Sequence, residues 1–119
     1  MKATIYHNSK CSKSNAALTL LHEHGIWVEV IHYIETPLSN EVLHKLLEQL
    51  GMEANKLVRF GEPVAQELGI TLNDNRDKDE WINLMIEHPI LIERPIVVIN
   101  NKAVIGRPPE ILLDLIQFD

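Results

Sequence analysis

The single cysteine of this chain, Cys11, lies in a polar stretch between a predicted strand, residues 3–6, and a predicted helix that ends before Gly25. At such a turn, a thiol lies beside the free backbone N–H groups and the positive end of the helix, which stabilise an anion. A thiol in that position has a lowered pKa and is more often a thiolate near neutral pH. A lone cysteine is commonly an inert core residue. The small polar neighbours of this one argue against burial, so we predict that Cys11 is a nucleophile.

Basic and hydroxyl side chains lie close to Cys11 in the sequence and would assist it. His7, Lys10 and Lys13 would favour the thiolate through positive charge. The chain also has four arginines, whose guanidinium fork can bind two oxygens of a tetrahedral oxyanion at once.

The four arginines have different predicted settings. Arg94 precedes the proline that opens a buried strand, Arg107 follows a hairpin, and Arg59 ends a short helix that could fold over the same site. We predict that these three bind an oxyanion. Arg76 lies in a polar loop and is predicted to be a solvated surface charge.

Spacing excludes several other chemistries. A phosphatase loop requires an arginine six residues after its cysteine, where this chain has Ala17. A dithiol redox motif requires a second cysteine three residues on, where this chain has Ser14. The histidines are scattered, so we expect no metal site, and the sequence has no glycine-rich phosphate loop.

The composition is that of one globular domain of 119 residues, 45% of them hydrophobic and 24% charged. One cysteine cannot form an internal disulfide, which indicates the reducing cytoplasm. The first residues carry no long apolar core and no apolar run approaches about 18 residues, so we expect neither a secretory signal nor a membrane span. The net charge of −6 argues against nucleic acid as a partner and requires local positive charge to hold an anionic substrate.

The predicted elements follow the order β-α-β, a run of helices, then β-β-α, which is the α/β layout of the thioredoxin-like fold with a mixed central sheet. The predicted strands are residues 3–6, 27–32, 96–99 and 102–105. The predicted helices are residues 12–24 (capped by Ser12 or Ser14), 40–50, 54–58, 63–68, 78–88 and 110–117. We predict a single domain, residues 1–119, with a helical insertion at about residues 40–88. In this layout Arg94 lies beside Cys11, and we expect the Arg94–Pro95 bond to be cis.

Four segments of the chain match one known family in order and spacing. The segments are Tyr6-His7-Asn8 with Cys11-Ser12-Lys13-Ser14, His32-Tyr33-Ile34-Glu35-Thr36-Pro37, Arg94-Pro95-Ile96-Val97 and Gly106-Arg107-Pro108-Pro109-Glu110. They resemble segments of the glutaredoxin-coupled arsenate reductases, the ArsC family, and Arg59 lies where that family has its insertion arginine. The resemblance covers almost the whole chain and is to the shorter branch of the family.

The resemblance implies an oxidoreductase that reduces arsenate to arsenite. In such an enzyme the Cys11 thiolate attacks arsenate and displaces water, while Arg59, Arg94 and Arg107 bind the oxyanion. His7 and Ser14 help to hold Cys11 as a thiolate. Glutathione acts as a co-substrate rather than a bound cofactor, and it resolves the adduct together with glutaredoxin as the protein partner. One cysteine leaves no internal resolving thiol, so the electrons must come from outside.

Two other functions stay open beside the reductase. A glutathione-dependent thiol transferase does not need three oxyanion-binding arginines. A non-catalytic redox-sensing regulator of the same family usually carries a second cysteine where this chain has Ser14. The chain also departs from the family signature at Asn15, where the family often has arginine. Without this cation we expect a higher pKa of the Cys11 thiol and weaker binding of the oxyanion.

Overall fold

The computed structural model describes residues 2–116, which form a four-stranded sheet and five α-helices. The strands are β1 (Lys2–Tyr6), β2 (Trp27–Ile31), β3 (Ile96–Ile99) and β4 (Lys102–Ile105). Their order in the sheet is β2-β1-β3-β4, with β1 parallel to β2 and antiparallel to β3, which is antiparallel to β4. This confirms the predicted mixed sheet. The strand-helix-strand start of the chain gives the parallel pair, and the hairpin near its end gives an antiparallel pair.

The helices divide between two compact units. The α-helices are α1 (Ser12–Glu23), α2 (Asn40–Leu50), α3 (Pro63–Leu68), α4 (Lys78–Glu87) and α5 (Leu112–Ile116), and short 3₁₀ helices span Ala54–Leu57, Pro89–Leu91 and Pro109–Ile111. A sheet unit comprises residues 2–36 and 94–116 of the described chain and holds the strands, α1 and α5. A helical unit comprises Pro37–Glu93 and holds α2, α3 and α4. None of the helices within residues 2–116 is long and apolar enough to cross a bilayer.

The core of the sheet unit forms where α1 covers the sheet. Ala17 and Leu21 of α1 are fully buried in one cluster with Ile5 of β1 and Val97 of β3. Full burial of an aliphatic side chain such as Leu or Ile stabilises a fold by roughly 1.5–3 kcal/mol. This packing fixes the start of α1, and hence Cys11, against the sheet.

The chain that follows β4 departs from the prediction. The helix predicted for residues 110–117 is a 3₁₀ helix followed by the short α5, and Gln117 lies outside the described residues. Leu112 is fully buried, whereas Ile111 is 40% exposed. Ile111 is the last residue of the 3₁₀ helix, whose three-residue repeat points it away from the face that an α-helix would bury.

The helical unit packs around α4. Trp81, Ile82 and Met85 of α4 are buried. Asp77 begins α4 with a capping box, in which its side chain accepts the Glu80 N–H and the Glu80 side chain accepts the Asp77 N–H. The predicted helix at residues 54–58 is a 3₁₀ helix that ends at Leu57, because Val58 turns extended and pairs with Ile92.

The β3–β4 hairpin lies between the loop that carries Arg94 and the loop that carries Arg107. Asn100 and Asn101 form the two-residue turn of this hairpin, and their φ angles of 51° and 67° are the positive values that such a turn requires. The Arg94–Pro95 bond is cis, as expected, and so is the Arg107–Pro108 bond. Gly106 packs so closely that an added Cβ would lie 3.1 Å from Pro95 Cγ and 3.5 Å from Ala17 Cβ. The loop that carries Arg94 is thus packed against α1.

Candidate active site

Cys11 is itself the N-cap residue of α1, with φ −101° and ψ 121°. This corrects the predicted cap at Ser12 or Ser14, which lie inside the helix. The turn before it is fixed by the Cys11 N–H, which donates to the Asn8 carbonyl oxygen at 3.0 Å, and by the Lys10 N–H, which donates to Asn8 Oδ1 at 3.0 Å. A capping residue lies where the first free N–H groups of a helix converge, so the half-buried thiol faces the positive end of α1.

The surroundings of Cys11 favour its thiolate. Burial raises the pKa of the thiol. Hydrogen bonding by the Ser14 backbone N–H, the Arg94 guanidinium and the Lys13 backbone N–H lowers that pKa, as does the charge of Arg94. The lowering contributions outweigh burial, so the pKa of Cys11 lies below its ordinary value. This is the chemistry that a nucleophilic thiol needs.

His7 and Ser14 form a buried pair beside Cys11. Ser14 is fully buried in the first turn of α1, and its Oγ lies 2.6 Å from His7 Nδ1. The Asn8 N–H also donates to Ser14 Oγ, at 3.2 Å. Buried polar groups that satisfy one another in this way hold a single geometry, and this pair ties the end of β1 to the start of α1.

His32 lies against His7. Their ring centroids are 5.8 Å apart in an edge-to-face arrangement. Burial is the main cause that lowers the pKa of His7, and the charge of His32 lowers it further, while hydrogen bonding to Asn15 opposes both. The net shift is downward, which favours the neutral imidazole near neutral pH, so His7 adds little of the positive charge that its sequence position suggested.

Two of the three predicted oxyanion-binding arginines belong to the sheet unit. Arg94 is buried beside Cys11 and acts on its thiol through hydrogen bonding and charge. Arg107 is exposed in the loop after β4, next to the 3₁₀ helix Pro109–Ile111, which packs against α1. The structure therefore brings Arg94 to the thiol and places Arg107 on the segment that covers α1.

The third arginine, Arg59, belongs to the helical unit. Its backbone N–H donates to the Leu91 carbonyl oxygen at 2.7 Å. Its Nε lies 3.5 Å from Glu62 Oε1 and 3.8 Å from Glu93 Oε1. Its Nη1 is buried and has no hydrogen-bond partner among the described residues. Two carboxylates thus lie beside the Arg59 Nε, while the contact of Arg59 with an oxyanion stays a prediction.

Sequence reasoning gave no role in the site to Asn8 or His32. The Asn8 turn carries a local signal, because Asn commonly accepts a hydrogen bond from the backbone two residues on. His32 carries a longer-range signal. Tyr6 and Ile31 are register partners in the parallel pair β1–β2, so the residues that follow them, His7 and His32, emerge side by side. Across residues 2–116 no group of three or more His, Cys, Asp or Glu side chains could hold a metal ion.

Comparison with known proteins places this geometry in a family. The sequence profile of the ArsC family matches residues 6–115. The chain is 45% identical over 113 residues to the protein named "Uncharacterized protein YfgD" of Escherichia coli (strain K12), covering 94% of each protein. It is 44% identical over 107 residues to an arsenate reductase of Neisseria meningitidis serogroup A, covering 89% of this chain and 91% of that protein.

A solved structure gives the same result in three dimensions. The arsenate reductase from Vibrio cholerae matches with a TM-score of 0.90 and 47% identity, covering 96% of this chain and 97% of that one. The structural likeness confirms the predicted thioredoxin-like fold, and the sequence likeness confirms the family resemblance that the motifs indicated.

Proposed function

The chain belongs to the ArsC family, and on that premise we propose that it is an arsenate reductase whose nucleophile is Cys11. The observation that carries the proposal is the position of Cys11, which is the N-cap residue of α1, lies beside Arg94 and has a thiol with a lowered pKa. A thiolate next to a guanidinium is suited to attack an oxyanion that the same guanidinium binds. Relatives that cover most of the chain are named arsenate reductases, which supports arsenate as the oxyanion.

The first step forms a bond between Cys11 Sγ and arsenic. The thiolate attacks As(V), an arsenic–oxygen bond breaks, and the departing oxygen takes up protons and leaves as water. Arg94 binds the remaining oxygens and stabilises the charge that develops on them. Arg107 binds the oxyanion beside Arg94 in this proposal, and the role of Arg59 stays the one that the family resemblance implies.

His7 and Ser14 act on Cys11 by holding the first turn of α1. The short hydrogen bond between Ser14 Oγ and His7 Nδ1, at 2.6 Å, fixes the residue whose backbone N–H faces the thiol. In this proposal both residues keep the thiolate stable without themselves reacting.

The electrons for the reduction come from outside the chain. Reduction of As(V) to As(III) takes two electrons, and two thiols supply them when they join in a disulfide. Cys11 is the only cysteine, so we propose glutathione as the co-substrate that attacks the adduct and glutaredoxin as the protein that resolves the mixed species. Such a reaction, with one glutathione disulfide formed per arsenite released, fits a reducing cytoplasm.

The proposal is tested by a coupled assay that contains arsenate, glutathione, glutaredoxin and glutathione reductase with NADPH. We expect NADPH consumption that depends on arsenate and is abolished in Cys11→Ser. The matched control is Ser12→Ala, which changes an exposed neighbour of the same size and should keep the wild-type rate.

The two alternative functions, a thiol transferase and a redox-sensing regulator, would give different results in that assay. Consumption that depends on Cys11 and on a glutathionylated substrate, but not on arsenate, would replace the reductase with a thiol transferase. Arsenate-dependent turnover that survives in Cys11→Ser would remove Cys11 as the nucleophile. A chain that turns over neither substrate would leave the binding role of a regulator.

A further inference from the structure

The turn that carries Cys11 is held by two asparagines, one on each side of it in the sequence. Asn8 is half-buried and lies just after β1, whereas Asn15 is exposed and lies in the first turn of α1. Four hydrogen bonds hold backbone groups of residues 9–11, and each has Asn8 or Asn15 as its partner. The position of the thiol therefore depends on these two residues.

Asn8 holds the N–H groups of the turn. Its side-chain Oδ1 accepts the Lys10 N–H at 3.0 Å, and its carbonyl oxygen accepts the Cys11 N–H at 3.0 Å. A backbone N–H only donates, so the side chain must present an acceptor here. An asparagine that accepts from the residue two positions on closes a turn on itself, which apolar side chains cannot do.

Asn15 holds the carbonyl groups of the same turn. Its side-chain Nδ2 donates to the Ser9 carbonyl oxygen at 2.9 Å, and its backbone N–H donates to the Cys11 carbonyl oxygen at 3.0 Å. A carbonyl oxygen only accepts, so this side chain must present an N–H donor. One residue of α1 thus bonds both to Cys11 and to the turn before it.

Cys11 needs this support because it is an N-cap residue whose own side chain makes no capping hydrogen bond. An N-cap residue lies half outside its helix, so the helix holds its carbonyl but not its N–H. Without either side-chain amide the turn could move, and the thiol would lose its fixed place beside the Lys13 and Ser14 N–H groups, which lower its pKa.

We propose that Asn8 and Asn15 are positioning residues, whose side-chain amides clamp the turn at residues 9–11 and hold the Cys11 thiol in its reactive position. The inference deepens the proposed function and rests on it only in that Cys11 is the reacting group. Asn15 stands where the family resemblance indicates arginine, so this half of the clamp belongs to the chain's own sequence rather than to the family signature.

The test measures the pH dependence of Cys11 alkylation by iodoacetamide, without arsenate. We expect the midpoint to rise in Asn8→Ala and in Asn15→Ala, and the rate at pH 7 to fall by up to about tenfold, the effect of a shift of about one pH unit. Asn8→Ser keeps an acceptor for the N–H two residues on and should recover part of the wild-type midpoint.

Asn15→Asp separates the N–H donor from the shape of the side chain. Aspartate matches asparagine in size but cannot donate to the Ser9 carbonyl. Its midpoint should stay raised in about 1 M salt, where the charge of an exposed carboxylate is screened.

Two controls distinguish positioning from a general loss of stability. Ser9→Ala changes an exposed hydroxyl that takes no part in the four hydrogen bonds and should keep the wild-type midpoint. Met85→Ala removes a fully buried side chain of the helical unit, so it should lower the free energy of unfolding and still keep the midpoint.

A wild-type midpoint in either alanine variant would remove that residue from the clamp and overturn the inference, as would an equal rise in Met85→Ala. Asn15 is exposed, so its variants should fold and decide the outcome even where Asn8→Ala does not. Because no arsenate is present, a failure of this test leaves the reductase proposal standing, and a chain inactive on arsenate would leave the clamp standing.

Discussion

Cys11 is a partly buried acid whose charged form is stabilised by its neighbours. Because the pKa in the fold lies below the ordinary value, the thiolate forms at a lower pH than in a free peptide. The sequence contains one cysteine, so a thiol reagent reports on this group alone. We expect the rate of alkylation by iodoacetamide to rise with an apparent pKa below about 8.5, the value of an unperturbed thiol. In Arg94→Ala the midpoint should move upward, because both contributions of that guanidinium are lost. A wild-type midpoint at or above the unperturbed value would contradict the thiolate assignment.

The same shift predicts how stability depends on pH. An acid whose pKa is lower in the folded than in the unfolded chain stabilises the fold. The contribution is complete above the unfolded value, near about pH 8.5, and is lost as the pH falls through the lowered value. Urea unfolding of wild type and Cys11→Ser under reducing conditions should therefore show a difference in unfolding free energy that grows in favour of the wild type from pH 6 to pH 9. A difference that is constant with pH would contradict the prediction.

Arg94 has a second proposed role in binding the oxyanion. Loss of a preorganised donor to developing charge typically costs about 10²–10³-fold in rate, and we expect Arg94→Ala to lower kcat/KM for arsenate by that order. Arg94→Lys keeps the positive charge but lacks the guanidinium that binds two oxygens at once, so it should recover only part of the lost kcat/KM. The assay is repeated for each variant above its own alkylation midpoint, where its thiolate is formed, so a loss that persists there belongs to the oxyanion.

The control for Arg94 is Arg76→Ala. This arginine lies in the helical unit, with its Nε 3.4 Å from Asp74 Oδ2 and its guanidinium over the Trp81 ring. We expect Arg76→Ala to keep the wild-type kcat/KM for arsenate. Wild-type kinetics in Arg94→Ala at every pH would remove Arg94 from the oxyanion site.

At the scale of elements, the position of Arg94 depends on how closely α1, the loop before β3 and the loop after β4 pack. Gly106 is where the three segments meet. An added Cβ would lie 3.1 Å from Pro95 Cγ and 3.5 Å from Ala17 Cβ, and both neighbours are buried. Gly106 also donates its N–H to the Pro95 carbonyl oxygen at 2.9 Å, which prevents the backbone from moving away.

We predict that Gly106→Ala destabilises the chain by about 1–3 kcal/mol, which is the typical cost of overpacking. Urea unfolding measures the loss. Gly61→Ala is the matched control, because an added Cβ meets nothing within 4 Å there, and its unfolding free energy should change little. Equal stabilities of the two variants would show that Pro95 can shift without cost.

The order of elements was predictable because each carries its own local signal. Gly25 and Gly51 end helices, Asn100-Asn101 forms the hairpin turn, and the β-branched run at residues 96–99 forms a strand. The strand-to-helix turn around Cys11 followed from the same signals. The identity of the N-cap did not, because helix boundaries inferred from a pattern shift by one or two residues.

The parts of the site that escaped prediction depend on contacts between distant segments. His7 and His32 meet only because β1 and β2 pair in one particular register. The orientation of the Asn15 amide depends on the Ser9 carbonyl in the preceding turn. Residues 109–111 form a 3₁₀ helix rather than an α-helix. A segment of three residues is too short for its sequence to distinguish the two kinds of helix.

At the scale of the whole molecule, the chain passes twice between its two units, at residues 36–37 and 93–94. Each unit has its own buried residues, such as Leu21 in the sheet unit and Met85 in the helical unit. A segment of the length of residues 37–93 is marginal as an independent domain, because a domain of about 60 residues buries too little surface to be robust alone. The prediction of a single domain therefore becomes a prediction of cooperative unfolding.

We expect the most protected amides of β3 and α4 to exchange with the same free energy in native-state hydrogen exchange, because one global unfolding event exposes both. Leu21→Ala and Met85→Ala remove fully buried side chains, one in each unit, at a typical cost of about 2–5 kcal/mol. In a single cooperative domain each variant lowers the protection of β3 and of α4 by equal amounts. If each variant instead lowered protection only in its own unit, the helical segment would be a separate domain.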